Sequence, residues 1–202
     1  MATGASTLKE TINATRLILK YNKKLVLMQC NTNYTNDKNN LNFINLLALK
    51  TFKKIFKDKI ILGLSDHTEG HATVLGSIAL GARVIEKHFT DNNNRKGPDH
   101  KFSMNPKSWK DMIKNSRELE KSLGNGTKKL ELNEKKSVIV QRRGVWTKKD
   151  LKKGTKLQIK DLNFLRPCPK NSISPFEISK FIGKKIKKNL KKNSLITLNC
   201  LK

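Results

Sequence analysis

The sequence is poor in aromatic residues and in cysteine, and each shortage narrows the class of protein. Aromatic side chains make up 6% of the 202 residues, whereas proteins that bind single-stranded nucleic acids stack the bases on such rings. Three cysteines at wide spacing, Cys30, Cys168 and Cys200, match neither a disulfide framework nor a zinc motif. This usage is typical of a reducing compartment, so we expect a cytoplasmic protein.

Long apolar runs are also missing. No stretch approaches the roughly 18 uncharged apolar residues that a membrane-spanning helix needs. The opening Met1-Ala2-Thr3-Gly4 has neither the basic region nor the apolar region of a signal peptide. The sequence therefore predicts no membrane partner.

Acidic residues are scarce as well, and the resulting net positive charge is the one feature of the composition that would indicate a nucleic-acid partner. Asp and Glu number 16 against 43 Lys and Arg, which gives a net charge of +27. The basic residues are mostly lysine and are spread over the whole chain, without the arginine forks that read base edges. We interpret them as solvated lysine faces and expect no nucleic acid. A protein that binds DNA with a steep salt dependence stays the alternative.

Strand-like and helix-like segments alternate over residues 1–126. Short apolar runs predict buried strands at 25–28, 60–64 and 83–89. Apolar residues at helical spacing predict helices at 7–19, 41–57, 70–80 and 106–123. The helix at 41–57 is expected to turn inward its residues Phe43, Ile44, Leu47, Phe52, Ile55 and Phe56. Such alternation implies a parallel sheet with right-handed crossovers.

The pattern changes after residue 126. Residues 127–137 are charged and are interpreted as a linker. From residue 138 to 202 the apolar segments are short, beginning with Val138-Ile139-Val140, and turn residues separate them. This second part is expected to be a small β-rich domain with its own core.

Two histidines follow successive predicted strands. His67 stands in Ser-Asp-His-Thr and His88 in Glu-Lys-His-Phe, 21 positions further on. Neighbouring parallel strands lie about 4.8 Å apart, so side chains at matching strand ends can converge on one ion. The carboxyl ends of the strands are where (β/α)8 enzymes carry out catalysis. Two imidazoles completed by oxygen ligands suit a Mn²⁺-like divalent ion better than a structural zinc. Histidines that only make hydrogen bonds inside a barrel stay the alternative.

Acidic residues near these histidines are weaker signals. Glu86 lies two residues before His88, so both point to the same side of the strand. A carboxylate beside an imidazole favours a polar pocket over a plain core, although a surface pair is also compatible. Asp99 lies in Gly97-Pro98-Asp99-His100, which is first of all a tight turn. His71 is expected on a helix face with a structural role.

Several longer strings resemble one enzyme family. They are Gly63-Leu64-Ser65-Asp66-His67-Thr68, Ala79-Leu80-Gly81-Ala82, Val84-Ile85-Glu86-Lys87-His88-Phe89-Thr90 and Gly97-Pro98-Asp99-His100. With Gln29-Cys30-Asn31-Thr32-Asn33-Tyr34 upstream, they resemble the N-acetylneuraminate (sialic acid) synthase family. Asp150-Leu151-Lys152-Lys153-Gly154, Leu165-Arg166-Pro167 and Ile182-Gly183-Lys184-Lys185 are similar to its antifreeze-like (SAF) domain.

The resemblance implies an α/β fold. Residues 1–126 would form the C-terminal half of a (β/α)8 TIM barrel, and residues 138–202 a SAF domain of the β-clip type. It also implies a transferase that condenses phosphoenolpyruvate with an N-acetylhexosamine such as N-acetylmannosamine. Phosphate would be released and a nonulosonic acid formed, with a divalent metal, Mn²⁺ or Mg²⁺, as cofactor.

The same resemblance implies roles for single residues. His67 and His88 match the metal ligands, while Glu86 and Asp99 match acidic residues of the catalytic site. Substrate-binding positions are matched by Tyr34, Ser65, Thr32 and Arg166. Many members have asparagine at the position of Thr32, so the resemblance implies that one contact on the phosphate side of the site differs in this chain. Arg166 matches an arginine that reaches into the partner subunit's barrel, so the resemblance implies a domain-swapped homodimer.

A complete barrel has eight strands, whereas the sequence offers three and the stub of a fourth at Ala2-Thr3-Gly4. We therefore expect this polypeptide to be inactive alone and to need a front half, which a separate N-terminal half-barrel could provide. A carbohydrate-binding or regulatory module built on the SAF domain is the alternative function.

Overall fold

The computed structural model describes residues 1–35 and 37–202, which divide into two units, Met1–Thr127 and Lys128–Lys202. In the first unit the helices are α1 (Leu8–Tyr21), α2 (Ala48–Phe56), α3 (Ala72–Ala79) and α4 (Pro106–Leu123), and the strands are β1 (Val26–Cys30), β2 (Ile61–Asp66) and β3 (Val84–Lys87). Short 3-10 helices lie at Lys38–Phe43 and Lys57–Lys59. Within the described residues, no helix has the length and apolar character needed to cross a membrane.

The three strands of the first unit form one parallel sheet in the order β1-β2-β3, as the alternation predicted. Ala2 adds a parallel bridge to Met28 on the free edge of β1, where the Thr3 backbone N–H donates to the Met28 carbonyl over 3.0 Å. The predicted fourth strand stub therefore lies in the sheet. All four segments run in the same direction, so their carboxyl ends meet at one edge.

The two faces of this sheet differ in burial. One face packs against the helices through a core of Leu25, Leu27, Leu49, Phe52, Phe56, Ile60, Leu62 and Ala82. The other face carries Ile61 and Val84, which are 46% and 37% exposed. The apolar runs predicted buried strands; on this second face Gly63 and Ser65 are buried as predicted, whereas Ile61 and Val84 are not. The described strands are too few to close into a barrel and cover it.

The helix predicted at 41–57 is shorter than expected. Residues Lys38–Phe43 form a 3-10 helix, and α2 starts only at Ala48. Asn45 lies between them with φ of 50°, a left-handed conformation that interrupts an α-helix. Phe43 and Leu47 consequently point outward, 66% and 62% exposed, against the expectation that they face inward.

Gly63, in the middle of β2, has neighbours so close that no Cβ fits. A Cβ there would lie 2.9 Å from both the Val84 carbonyl oxygen and Met28 Cγ. We expect Gly63→Ala to lower the free energy of unfolding by about 1–3 kcal/mol, because the sheet has to shift. In the control Gly76→Ala, on α3, the Cβ meets only the flexible tip of Leu46, and stability should be unchanged or rise by up to about 1 kcal/mol. Urea denaturation measures both, and equal midpoints would contradict the close packing.

The second unit is built around a short antiparallel pair. It contains α5 (Lys135–Gln141), β4 (Gly144–Thr147) and β5 (Leu162–Leu165), with 3-10 turns at Leu132–Glu134, Ile159–Asp161, Pro175–Lys180 and Leu198–Cys200. Its separate core is formed by Val145, Leu151, Leu157, Leu162, Ile173, Ile178, Ile186, Leu190, Ile196, Cys200 and Leu201. Val138-Ile139-Val140, expected to open the β-rich part, instead lies in α5, which begins inside the predicted linker.

Candidate active site

Four of the predicted site residues lie at the carboxyl ends of β2 and β3. Ser65 pairs in register with Glu86, and His67 and His88 follow directly after the two strands. Ser65 Oγ donates a hydrogen bond of 2.7 Å to Glu86 Oε2. The period of two along each strand puts all four side chains on the face of the sheet that also carries Ile61 and Val84. We call this the open face. Their roles stay predictions, but the sheet does bring them together.

The two imidazole rings lie side by side. Their centroids are 5.0 Å apart and the rings meet edge to face, with an interplanar angle of 74°. His67 is buried, whereas the His88 side chain is 25% exposed. Such a separation lets one nitrogen of each ring approach a single ion.

Hydrogen bonding determines which nitrogens are available. His67 Nδ1 lies 2.8 Å from the carbonyl oxygen of Asn31. A carbonyl can only accept, so Nδ1 carries a proton, and in the neutral imidazole Nε2 is then the nitrogen with the lone pair. His88 Nδ1 lies 3.5 Å from Asp99 Oδ2, which favours the same tautomer. Metal-binding histidines commonly donate their second N–H to a carbonyl or a carboxylate in this way.

Aromatic rings enclose the histidines. The Tyr34 ring lies 4.4 Å from the His67 ring and 5.6 Å from the His88 ring, measured between centroids. Phe102, which is 2% exposed, lies 5.1 Å from His88 on the same measure. These rings cover part of each imidazole, and apolar surroundings strengthen electrostatic interactions within a site.

The loop that carries Asp99 is fixed by side-chain hydrogen bonds that the sequence did not reveal. Asn93 Nδ2 donates to the carbonyls of His100 and Ser103, 2.8 Å each, and Asn93 Oδ1 accepts from Asn105 Nδ2 over 2.8 Å. Ser103 Oγ donates to the Asp99 carbonyl over 2.6 Å. The only signal in the sequence was a run of asparagines, which is common in loops and does not indicate which one is structural.

We expect Asn93→Ala to release this loop. Removing the amide leaves two carbonyls without their donor, which should lower stability by about 1–3 kcal/mol. Amide hydrogen exchange should speed up over residues 99–105. Asn94→Ala, at an exposed neighbouring position, is the matched control and should leave exchange unchanged. Equal exchange in both variants would contradict a role for Asn93 in placing Asp99.

Two further predicted site residues are Thr32 in the first unit and Arg166 in the second. Thr32 is exposed and lines a cavity of about 580 Å³ with Asn31 and the residues at the start of the chain. Gly4 packs against it so closely that a Cβ at Gly4 would overlap Thr32 Oγ1. Arg166 belongs to the second unit, where its Nε donates to the Gln141 carbonyl over 2.6 Å. It is exposed at the end of β5.

The donor set fits an open divalent-metal site. Among residues 1–35 and 37–202, no group of three or more His, Cys, Asp or Glu is arranged to hold an ion. The two imidazoles, each with an oxygen facing Nδ1, would offer two nitrogen ligands to such an ion through Nε2. Substrate or water oxygens would take the other positions, as in catalytic rather than structural sites. Imidazole with oxygen ligands suits several divalent ions, Mn²⁺ among them.

The fold defines the class of protein: a segment of a β/α barrel followed by a small β domain. The chain belongs to the NeuB family, whose profile matches residues 1–128, and a SAF domain matches residues 142–202. The family resemblance and the fold class predicted from the sequence are thereby confirmed. The NeuB family comprises synthases of nonulosonic acids, so its members serve carbohydrate biosynthesis.

Individual relatives carry more specific names. The chain is 37% identical over 199 residues to the N,N'-diacetyllegionaminic acid synthase of Campylobacter jejuni, covering 97% of this chain and 58% of that protein. It is 32% identical over 195 residues to the pseudaminic acid synthase of the same species, covering 95% and 54%. The crystal structure of N-acetylneuraminic acid (sialic acid) synthetase from Leptospira borgpetersenii in complex with citrate has a TM-score of 0.59 and 27% identity, over 68% of this chain and 46% of that one. The chain thus spans about half the length of these relatives.

Proposed function

We propose that this chain provides the metal-binding part of a synthase that condenses phosphoenolpyruvate with an N-acetylhexosamine, such as N-acetylmannosamine, to a nonulosonic acid. One observation carries the proposal. His67 and His88 directly follow neighbouring parallel strands with their rings 5.0 Å apart, and an oxygen faces Nδ1 of each. Membership of the NeuB family supports the reaction class.

The chemistry divides among the side chains at the carboxyl edge. A divalent metal, Mn²⁺ or Mg²⁺, bound by His67 and His88 would polarise the sugar aldehyde. In the condensation, a carbon–carbon bond forms between phosphoenolpyruvate and the aldehyde carbon, water adds to phosphoenolpyruvate, and phosphate leaves. Glu86 is exposed on the open face and is oriented by Ser65, so it can accept a proton from the attacking water.

Asp99, Tyr34 and Thr32 would contact the substrates. The Asp99 side chain is 51% exposed beside His88, where its carboxylate can accept hydrogen bonds from sugar hydroxyls. Tyr34 covers the His67 ring and, with Ser65, would border phosphoenolpyruvate. Thr32 would contribute a hydroxyl on the phosphate side. These assignments follow from the family resemblance and from the position of each side chain.

The exposed face of the sheet supports the proposal that a front half of the barrel completes the site. Ile61 and Val84 are exposed on the face that carries the site, and exposed strand faces and edges require cover. The site would be completed by the front half of the barrel, on the same polypeptide or on a separate one. Arg166, whose side chain is exposed apart from its Nε bond, would reach the N-acetyl sugar in a partner subunit of a domain-swapped homodimer.

Glu86→Gln tests the proposed proton acceptor. In the chain joined to a front half-barrel, we expect kcat/KM to fall by about 10²-fold or more, because general acid–base catalysis contributes roughly 10²–10⁴-fold. The glutamine can still accept the Ser65 hydrogen bond, so the geometry should persist. Glu118→Gln, on the exposed surface of α4, is the matched control. Phosphate release measures both, and a rate within about twofold of the parent would exclude Glu86 from the role.

A further inference from the structure

A buried ion pair lies behind the two histidines. Lys87 Nζ is 2.5 Å from Asp66 Oδ2, and the side chains of Lys87 and Asp66 are 1% and 0% exposed. The two residues are cross-strand partners at the last paired position of β2 and β3. Asp66 directly precedes His67 in the chain, and Lys87 directly precedes His88. Because successive side chains alternate, the pair points into the helix layer while both histidines point to the open face.

The ammonium group of Lys87 holds the chain on both sides of His67. Besides Asp66, it donates a hydrogen bond of 2.6 Å to the carbonyl oxygen of Thr68. Asp66 in turn accepts from the Thr73 hydroxyl over 2.6 Å and from the Thr68 hydroxyl over 3.0 Å. One side chain on β3 therefore fixes Asp66 at the end of β2 and Thr68 beyond it, the residues before and after His67.

Stability alone does not explain such a pair. Removing two charges from water is costly, and apolar residues of similar size often replace a buried ion pair without loss of stability. What apolar residues cannot provide is a directional bond that fixes one strand end against the next. The pair spans the two strand ends whose relative position determines the separation of the imidazoles.

We propose that Asp66 and Lys87 are positioning residues that fix His67 and His88 so that both Nε2 atoms can bind one divalent cation. This inference rests on the proposed function of the two histidines. Partners behind metal ligands typically change metal affinity about 10- to 100-fold when they are mutated. Loss of the pair should therefore weaken metal binding without removing any ligand.

The test compares the full 202-residue chain with the variants Lys87→Met and Asp66→Asn/Lys87→Met. In the double variant, the amide oxygen introduced at position 66 can still accept the hydrogen bond from Thr73, and no unpaired charge is left buried. The double variant should therefore fold even if the single variant does not. Lys149→Met is the matched control, since Lys149 pairs with the buried Asp161 over 2.8 Å in the second unit. The first readout is the affinity for Mn²⁺, measured from the electron paramagnetic resonance signal of the free ion. The second is the set of nuclear Overhauser contacts between the two histidine rings in the metal-free chain.

We expect the double variant to raise the Kd for Mn²⁺ about 10- to 100-fold and to weaken the contacts between the rings, while Lys149→Met changes neither. Unchanged ring contacts and affinity in the folded double variant would overturn the proposal. If the unmodified chain binds no Mn²⁺, the proposed metal site fails, and the ring contacts alone decide whether the pair positions the histidines.

Discussion

Joining the chain to a front half-barrel is expected to raise phosphate release from phosphoenolpyruvate at least about 10³-fold over the chain alone. The reason is that the described sheet has three strands and a bridged stub, whereas barrel enzymes form their sites from loops after several strands. Correct orientation of reactants contributes about 7–11 kcal/mol, and each 1.36 kcal/mol is a factor of about ten in rate. If the chain alone loses half of this orientation energy, the loss accounts for most of the expected difference in rate between the chain and the joined protein.

The front half can be taken from the part of the C. jejuni N,N'-diacetyllegionaminic acid synthase that this chain does not span. Release of phosphate is followed with Mn²⁺ and N-acetylmannosamine, or a diacetylated hexosamine. The isolated front half is the control, because it contains neither His67 nor His88. Equal rates for the chain alone and for the joined protein would contradict the need for completion.

The largest effect of a single substitution is expected at the histidines. In the joined protein, His67→Ala and His88→Ala should each lower kcat/KM by about 10³-fold or more. A metal acting on a carbonyl oxygen contributes several kcal/mol to the transition state, at about 1.36 kcal/mol per factor of ten. Removing one of the two imidazoles should lower the metal affinity to a point where excess Mn²⁺ only partly restores the rate.

His71→Ala is the matched control. His71 is the N-cap residue before α3 and not on a helix face as expected, and its Nε2 lies 3.0 Å from the Asn115 side-chain nitrogen on α4. We expect kcat/KM to stay within about threefold of the parent, since the hydrogen bond from His71 to α4 is expected to contribute to stability alone. Loss of activity in His71→Ala equal to that in His67→Ala would mean that the histidines act through folding and not through a metal.

Local signals made much of the first unit predictable. The capping box of Thr7 and Glu10 starts α1, and Asn105 with Pro106 starts α4, because caps depend on residues within one turn. Strand–helix alternation predicted the parallel sheet, because a helix between two strands allows both strands to run in the same direction. The break at Asn45 was missed, since a left-handed asparagine leaves no apolar pattern behind. The helix α5 was missed because three apolar β-branched residues favour a strand when propensity alone is considered.

The arrangement of the candidate site was predictable where it depends on strand geometry and unpredictable where it depends on loops. The period of two placed Glu86 and His88 on one side, and strand spacing brought His67 to them. The Asn31 carbonyl behind His67 and the Tyr34 ring over it come from a loop whose path no local rule specifies. Lys87 was missed although the same period of two directs its charge into the core, where a partner is required.

Pulsed electron paramagnetic resonance on Mn²⁺ added to the metal-free 202-residue chain tests the metal ligands without requiring catalysis. We expect one bound Mn²⁺ whose spectrum shows coupling to two imidazole nitrogens. That coupling should disappear in His67→Ala/His88→Ala and persist in His71→Ala. Mn²⁺ bound without nitrogen coupling, or coupling that survives the double substitution, would contradict the assignment of His67 and His88 as the metal ligands.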